Sequence, residues 1–166
     1  MTRTILVAYA SRYGSTREVA ESIAATLRER QLRVDVRAAG EIGDMDEYAG
    51  VVLGGAIYMG RWHRDARVFA KRFADELSEL PVAVFALGPI DDVPEHRAGS
   101  EKQFRAALEK LPFEPVSTRL FGGVVDPRKL HFPFNRMPAA DVRDWDAVRA
   151  WSLEVADRLQ AVPAAA

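Results

Sequence analysis

The stretch Ile5-Leu-Val-Ala-Tyr-Ala-Ser-Arg-Tyr-Gly-Ser-Thr16 decides the fold of this chain. Its apolar part, residues 4–8, is typical of a strand buried on both faces of a parallel sheet. Ser15 followed by Glu18 predicts a capping box at the start of a helix. Apolar residues then recur at helical spacing, at Val19, Ala20, Ile23, Ala24 and Leu27. A buried strand that turns directly into an amphipathic helix is the first half of a strand–helix–strand unit.

The rest of the chain repeats this alternation. Further strands are predicted at residues 33–38, 50–55, 82–87 and roughly 117–125, and further helices from Asp65 to Leu77, from a capping box at Ser100, and from Trp145 to Leu159. Residues 126–144 have no regular pattern and are predicted to form a surface excursion. Because strands that alternate with helices pair in parallel through right-handed crossovers, we expect residues 1–166 to form a single α/β domain.

Composition excludes several classes of protein. Of the 166 residues, 48% are hydrophobic and 28% are charged, which predicts a globular chain. The net charge of −1 lacks the basic excess of a general nucleic-acid binder, so no nucleic-acid partner is expected. The chain has no cysteine, so any redox chemistry must come from a bound cofactor. No segment has the length of a signal peptide's apolar core or of a membrane span, which predicts a cytoplasmic protein.

The loop after the first strand is a candidate phosphate site, because ligands of open α/β sheets lie beyond the carboxyl ends of the strands. Backbone N–H groups at a helix N-terminus attract an anion, and the hydroxyls of Ser11, Ser15 and Thr16 add donors. Gly14 lets the backbone approach closely. The loop has neither the lysine of a P-loop nor a G-x-G-x-x-G turn. An ordinary turn with hydroxyl caps remains the alternative. The predicted cofactor residues here are Ser11, Arg12, Tyr13, Gly14, Ser15 and Thr16.

The segment after the third strand, residues 54–63, has glycines near both ends and apolar or aromatic residues between them. A planar heteroaromatic ring needs a flat apolar slot of this kind, for which Tyr58, Met59 and Trp62 are candidate walls. The alternative is that Tyr58 and Trp62 only cover the end of the sheet. The predicted cofactor residues here are Ala56, Ile57, Tyr58, Met59, Gly60 and Trp62.

The third candidate loop follows the fourth strand. Its small residues would let a ring lie close to the backbone, and Asp91 and Asp92 would accept hydrogen bonds at the ring edge. A solvated acidic turn is the alternative. The predicted cofactor residues here are Leu87, Gly88, Pro89 and Asp92.

Three residues beside the presumed ring site are candidate substrate contacts: Arg61, His63 and Arg64. Arginine binds carboxylates well, although these arginines also fit the solvated face of the following helix. His63 is isolated, without the partner that a catalytic base needs. We predict no catalytic acid or base and no metal site.

These loops together resemble the flavodoxin family. They are most similar to its branch of flavodoxin-domain proteins that includes the bacterial menaquinone-dependent protoporphyrinogen IX dehydrogenases. Ser11, Gly14 and Thr16 match the family's phosphate loop, Thr/Ser-x-Thr-Gly-x-Thr, while Tyr13 stands where a threonine is usual. Residues 55–63 resemble a segment of that branch. The branch's long basic and aromatic insertion near the last strand corresponds here to the short stretch 126–137, which keeps the character but not the length.

The resemblance implies a flavodoxin-like doubly wound sandwich, with a five-stranded parallel sheet in the order 2-1-3-4-5 and helices on both faces. It implies FMN as the cofactor. The implied function is an oxidoreductase, with protoporphyrinogen as the leading substrate, a quinone at the membrane surface as acceptor and heme biosynthesis as the setting.

Two other functions are alternatives to the oxidoreductase. One is an electron-transfer protein that docks a redox partner protein and has no substrate of its own. The other, a phosphate-regulated receiver domain, is set aside because Ala10, Ser11 and residues 54–57 lack its acidic pocket and phospho-acceptor aspartate.

Overall fold

Eight strands and five α-helices alternate along residues 4–161, the part of the chain that the computed structural model describes. In chain order they are β1 (Thr4–Ala10), α1 (Ser15–Glu29), β2 (Arg33–Ala38), β3 (Tyr48–Tyr58), β4 (Arg61–Trp62), α2 (Arg64–Arg72), α3 (Ala74–Ser78), β5 (Val82–Leu87), α4 (Pro94–Glu109), β6 (Ser117–Phe121), β7 (Val124–Val125), β8 (Ala140–Asp141) and α5 (Trp145–Ala161). The predicted single domain also includes residues 1–3 and 162–166, which lie outside the described range.

The main sheet has the order β2-β1-β3-β5-β6, and all of these neighbours pair in parallel. The two-residue strand β4 pairs only with β3, in the antiparallel sense, so it adds a flap to β3 and does not change the order of the parallel strands. The predicted five-stranded sheet and its order are therefore confirmed.

Helices cover both faces of the sheet. On one face α1 and α5 pack against β1, β3 and β5 through an apolar cluster that includes Val19, Ile23 and Val148. Phe85, Phe121 and Trp151 of the same cluster meet with ring centroids 5.8–6.1 Å apart. On the other face α2, α3 and α4 bury a second cluster, to which they contribute Ala66, Phe69, Ala70, Leu77 and Phe104. Burying each large side chain contributes about 1.5–3 kcal/mol, so these two layers hold the strand ends in place.

Three predicted helix starts or spans differ in the structure. The Ser15–Glu18 capping box is wrong, because Gly14 is the N-cap residue and no side chain caps α1. Helix α4 begins at Pro94 and not at Ser100, since the fixed φ of proline favours the first helical position. The helix predicted from Asp65 to Leu77 is interrupted at Phe73, whose φ of −104° and ψ of 29° separate α2 from α3.

The strand predicted at residues 117–125 is also divided. It leaves the sheet at Gly122, where a Cβ atom would lie only 2.1 Å from the carbonyl oxygen of Val142. Strand β7 then pairs with β8, opposite Ala140 and Asp141. This short ribbon closes the base of residues 126–139, which we call the excursion loop.

Candidate functional site

A cleft of about 1060 Å³ opens at the carboxyl ends of β1, β3 and β5. Its wall is formed by residues from four stretches of the chain: 12–18, 56–67, 87–90 and 123–143. The first three are the predicted loops, which the parallel sheet brings to one edge. The fourth contains the excursion loop and the β7–β8 ribbon, which no local pattern in the sequence assigns to the site.

The first loop is held by hydrogen bonds among its own residues and to the first turn of α1. Gly14 has a φ of +93°, a left-handed conformation that favours glycine, although a Cβ atom there would meet no neighbour within 4 Å. The N–H of Gly14 donates to Ser11 Oγ at 2.9 Å, and its carbonyl accepts from the N–H of Glu18 at 3.1 Å. Ser11 and Gly14 therefore shape the loop and do not line the cleft.

Thr16 carries the clearest sign of a ligand in this loop. Its side chain is fully buried, it lines the cleft, and its Oγ1 makes no hydrogen bond to any described residue. Leaving a buried polar group unpaired costs about 1–3 kcal/mol. The first-turn N–H groups of α1 add donors beside it, because they have no acceptor within the helix and Ser15 and Thr16 line the cleft. Together these donors fit an anion such as a phosphate.

Next to this loop, small and apolar residues form a slot. Ala56 and Ile57 lie near the end of β3, Leu87 ends β5 and Gly88 follows it, so the two pairs face the cleft from neighbouring strands. The N–H of Gly88 is already used by the carbonyl of Phe121 at 2.9 Å. These residues give the slot the apolar lining that a flat ring requires.

Residues 57–62 form a hairpin whose turn has positive φ at both Met59 (50°) and Gly60 (78°). Trp62 is buried in the core and donates its Nε1–H to the carbonyl of Gly55 at 2.9 Å, so it braces the hairpin while reaching the cleft floor. Tyr58 and Met59 are exposed at the rim, and Met59 is 78% accessible. Gly60 faces a groove between α2 and α4 instead of the cleft.

His63 caps α2, since its Nδ1 accepts the N–H of Asp65 at 3.1 Å. Burial lowers the pKa of His63 below its usual value; Asp65 opposes this effect, while Arg12 and Arg67 add to it. The imidazole is therefore neutral near pH 7, with its proton on Nε2. Its structural role does not require a substrate.

Residues of the third loop line two separate cavities. Leu87, Gly88 and Ile90 line the cleft, but Pro89 and Asp92 line a separate hollow of about 600 Å³ between α4 and β6. Asp92 pairs with Arg97 at 2.9 Å. Asp91 bonds to His96, and this contact lowers the pKa of its carboxyl group. In this geometry neither aspartate contacts the presumed ring slot.

Two cations from the fourth stretch, residues 123–143, contact the first loop. Lys129 Nζ donates to the carbonyl of Tyr13 at 3.0 Å, and Arg143 Nη1 donates to the carbonyl of Ser15 at 3.3 Å. Arg143 has a side chain only 8% exposed and bonds both oxygens of Asp141 and one of Glu18. These bonds hold the pKa of Asp141 below its usual range. The sequence shows the basic character of residues 126–137, but no local pattern indicates that Lys129 and Arg143 reach the first loop.

Charge in the cleft differs from that of the whole chain. Its wall holds seven Lys or Arg and four Asp or Glu residues, although the chain carries a net charge of −1. Within the described range, four of the cations have no carboxylate within 4.0 Å: Arg12, Arg61, Arg67 and Lys129. Arg64 pairs weakly with Asp65 at 4.0 Å and is exposed. Arg12 lies over the rings of Tyr13 and Tyr58, 5.3 and 5.8 Å from their centroids.

A family comparison agrees with this site. The sequence profile of the family described as Flavodoxin domain matches residues 6–137. The chain therefore belongs to the flavodoxin-domain family. It is 31% identical over 123 residues to the protoporphyrinogen IX dehydrogenase (quinone) of Escherichia coli strain K12, an alignment that covers 72% of this chain and 68% of that protein.

Solved structures show the same fold. A short-chain flavodoxin associated with a bacterial microcompartment superposes with a TM-score of 0.64 at 15% identity, covering 95% of this chain and 97% of that one. Oxidised flavodoxin 1 from Bacillus cereus gives a TM-score of 0.61 at 16% identity, covering 93% and 97%. At these identities the likeness concerns the fold.

FMN is the cofactor of this protein, and electron transfer is the general function that family membership supports. The residues present fit this cofactor. The unpaired Thr16 hydroxyl and the N-terminus of α1 suit the single phosphate, and Ala56, Ile57, Leu87 and Gly88 suit the ring. Among residues 4–161, no helix is long and apolar enough to cross a membrane.

Proposed function

We propose that this protein is an FMN-dependent oxidoreductase that acts on a large organic substrate bearing carboxylates. Protoporphyrinogen IX is the leading candidate for the substrate, and a quinone is the candidate acceptor. The observation that carries the proposal is the group of cations around an apolar cleft, among them Arg12 and Arg61, which have no carboxylate partner in the described range. If these cations only formed the solvated face of a helix, no apolar wall would be expected beside them.

The size and lining of the cleft support this assignment. Its volume of about 1060 Å³ is slightly above the usual range of small-molecule sites, about 300–1,000 Å³. The excursion loop adds Leu130, Phe134 and Met137 to the wall, so the cleft has apolar surface beyond the ring slot. A porphyrinogen combines apolar pyrrole rings with propionates, which arginine binds in a bidentate manner.

Each group of residues has a separate task in the proposed reaction. Bound FMN supplies the hydride or electron chemistry. Thr16 and the first turn of α1 hold its phosphate, while the slot between β3 and β5 orients its ring. Arg61 and Arg64 would hold carboxylates at the open side of the cleft, where each exposed pair contributes only about 0.2–1 kcal/mol. Apolar contacts would therefore have to provide most of the substrate's binding energy.

The E. coli relative supports the choice of substrate, because its name states protoporphyrinogen IX and a quinone. The excursion loop, residues 126–139, has the basic and aromatic side chains suited to a quinone or an anionic membrane surface, including the exposed Phe132 and Phe134. Peripheral attachment to a membrane at this loop is part of the proposal. Cytoplasmic residence is proposed with it.

The proposal is tested in two stages. First, the visible spectrum of the purified protein and the mass of its extracted cofactor establish that FMN is bound. Second, porphyrin fluorescence is followed with protoporphyrinogen IX and a soluble menaquinone analogue. Enzyme-dependent porphyrin formation that saturates with substrate is expected. A fully FMN-loaded protein that forms no porphyrin above the rate without enzyme would contradict the substrate assignment.

An electron carrier without its own substrate is the second candidate. It is favoured by the exposed rim of the cleft, where Tyr58 and Met59 are accessible to a protein partner. The same FMN-loaded protein would then accept electrons from a flavodoxin reductase and pass them to cytochrome c, while porphyrin formation stays at background.

A further inference from the structure

Lys129 is placed over the phosphate loop by a segment distant in sequence. Its Nζ donates to the carbonyl oxygen of Tyr13 at 3.0 Å, and Tyr13 lies 116 residues away in the chain. This carbonyl belongs to the turn that leads into α1. The ammonium group therefore lies beside the turn that leads to the unpaired Thr16 hydroxyl and to the first-turn N–H groups of α1, which have no acceptor within the helix.

The ammonium group has donors to spare. Lysine has three N–H donors, of which one bonds Tyr13, and no other described residue accepts from Nζ. No carboxylate lies within 4.0 Å of it in the described range; the nearby Asp126 is taken by Arg128, whose side chain bonds it at 3.0 Å. Both Lys129 and Thr16 line the cleft.

We propose that Lys129 is a phosphate-binding residue of the cofactor site, supplied by the excursion loop and not by the phosphate loop itself. The inference rests on FMN binding in this cleft. A phosphate in the first loop would accept from Thr16 Oγ1 and the first-turn N–H groups on one side and from Lys129 on the other. The bond from Lys129 to the phosphate would also join the excursion loop to the cofactor.

Riboflavin, which has the ring but no phosphate, separates this role from a general effect on the cleft. Dissociation constants for FMN and riboflavin are measured by quenching of flavin fluorescence for the wild type, Lys129→Met, Lys129→Arg and Lys102→Met. Lys102 is an exposed residue of α4 that lines none of the cavities described above, so it is the matched control.

Lys129→Met is expected to weaken FMN binding about tenfold and to leave riboflavin binding within about twofold, because a charge-assisted hydrogen bond to the phosphate is lost. Lys129→Arg keeps most of the preference for FMN over riboflavin, and Lys102→Met matches the wild type. Raising the salt concentration reduces FMN affinity more in the wild type than in Lys129→Met, since one charge pair is screened.

Three outcomes are distinguishable. Equal losses for FMN and riboflavin in a folded Lys129→Met protein would overturn the inference, because Lys129 would then only shape the wall. Unchanged FMN affinity would overturn it as well. A wild-type protein that binds neither flavin would instead contradict the cofactor assignment. If the methionine variant does not fold, Lys129→Gln, which also removes the charge, is judged by the same ratio of FMN to riboflavin affinity.

Discussion

At the scale of single residues, the hydroxyl of Thr16 is buried without a hydrogen-bond partner. Its removal should therefore affect stability and FMN affinity in different ways. Thr16→Val replaces the hydroxyl by a methyl group of similar shape. The apoprotein should keep or gain stability, because an unpaired buried polar atom is removed. FMN affinity should fall roughly ten- to a hundredfold, the value of a hydrogen bond to a charged group, about 1.5–3 kcal/mol.

Thermal melting of the apoprotein and flavin fluorescence titration measure these two effects. Thr26→Val is the matched control, since Thr26 is also buried in α1 but bonds the carbonyl of Ser22 at 3.3 Å. It should lose some stability and keep its FMN affinity. A Thr16→Val protein with wild-type affinity would place the phosphate elsewhere.

His63 gives a prediction about pH. Burial lowers its pKa in the folded protein below the unfolded value of about 6.5. The folded state therefore binds fewer protons than the unfolded state in the interval below pH 6.5, so this residue makes stability decline as the pH falls toward the folded pKa. Asparagine can cap α2 in the same way without titrating.

Thermal melting from pH 7.5 to pH 5.5 compares the wild type with His63→Asn. The melting temperature of the wild type should fall further than that of the variant across this interval. Parallel curves would show that the folded state does not resist protonation of this imidazole.

At the scale of elements, Arg143 joins the β7–β8 ribbon to α1. Its guanidinium is nearly buried and bonds Asp141, Glu18 and the carbonyl of Ser15. Arg143→Met leaves these acceptors without their donor. We expect the free energy of unfolding to fall by about 1–3 kcal/mol, less than for a fully buried pair because both carboxylates are partly exposed.

Urea unfolding measures this loss, and hydrogen exchange over residues 124–141 should speed up if the ribbon loses its anchor. The exposed pair between Arg149 and Glu29 provides the control, for which Arg149→Met should cost much less, because solvent screens both charges. Equal costs for the two variants would mean that Arg143 is an ordinary surface residue.

At the scale of the whole molecule, charge is distributed unevenly, with an excess of cations at the cleft in a chain of net charge −1. If Arg61 and Arg64 hold substrate carboxylates, Arg61→Ala with Arg64→Ala should raise the KM for protoporphyrinogen about two- to thirtyfold, corresponding to two exposed pairs. FMN affinity should stay unchanged, because neither residue belongs to the phosphate loop or the ring slot.

Steady-state porphyrin fluorescence gives KM, and fluorescence titration gives the FMN affinity. The double variant Arg33→Ala with Arg158→Ala removes the same charge from exposed positions away from the cleft, on β2 and α5, and should leave KM at the wild-type value. A similar rise of KM in both double variants would mean that the net charge of the protein, and not a specific contact with the substrate, determines KM.

Much of the architecture was predictable from local patterns. Apolar runs such as residues 82–87 become β5, which is buried throughout, and the stripe from Val19 to Leu27 faces the core as its spacing predicts. Helix starts were less predictable, because Gly14 and Pro94 act through backbone conformation and not through the side-chain caps that Ser15 and Ser100 suggested. The short flap β4 was missed, since two residues carry no periodicity.

The sequence by itself determined the alternation of strands and helices, and through the resemblance the order of the parallel strands. It also determined the three loops that meet at one edge of the sheet, because burial periodicity and turn chemistry are local properties. Only the tertiary structure decided which side chains complete the site. Lys129 and Arg143 reach the first loop because Gly122 turns the chain out of the sheet and β7 pairs with β8. Polar residues of an irregular surface segment have no pattern that points to a partner more than 100 residues away, so their contacts depend on packing alone.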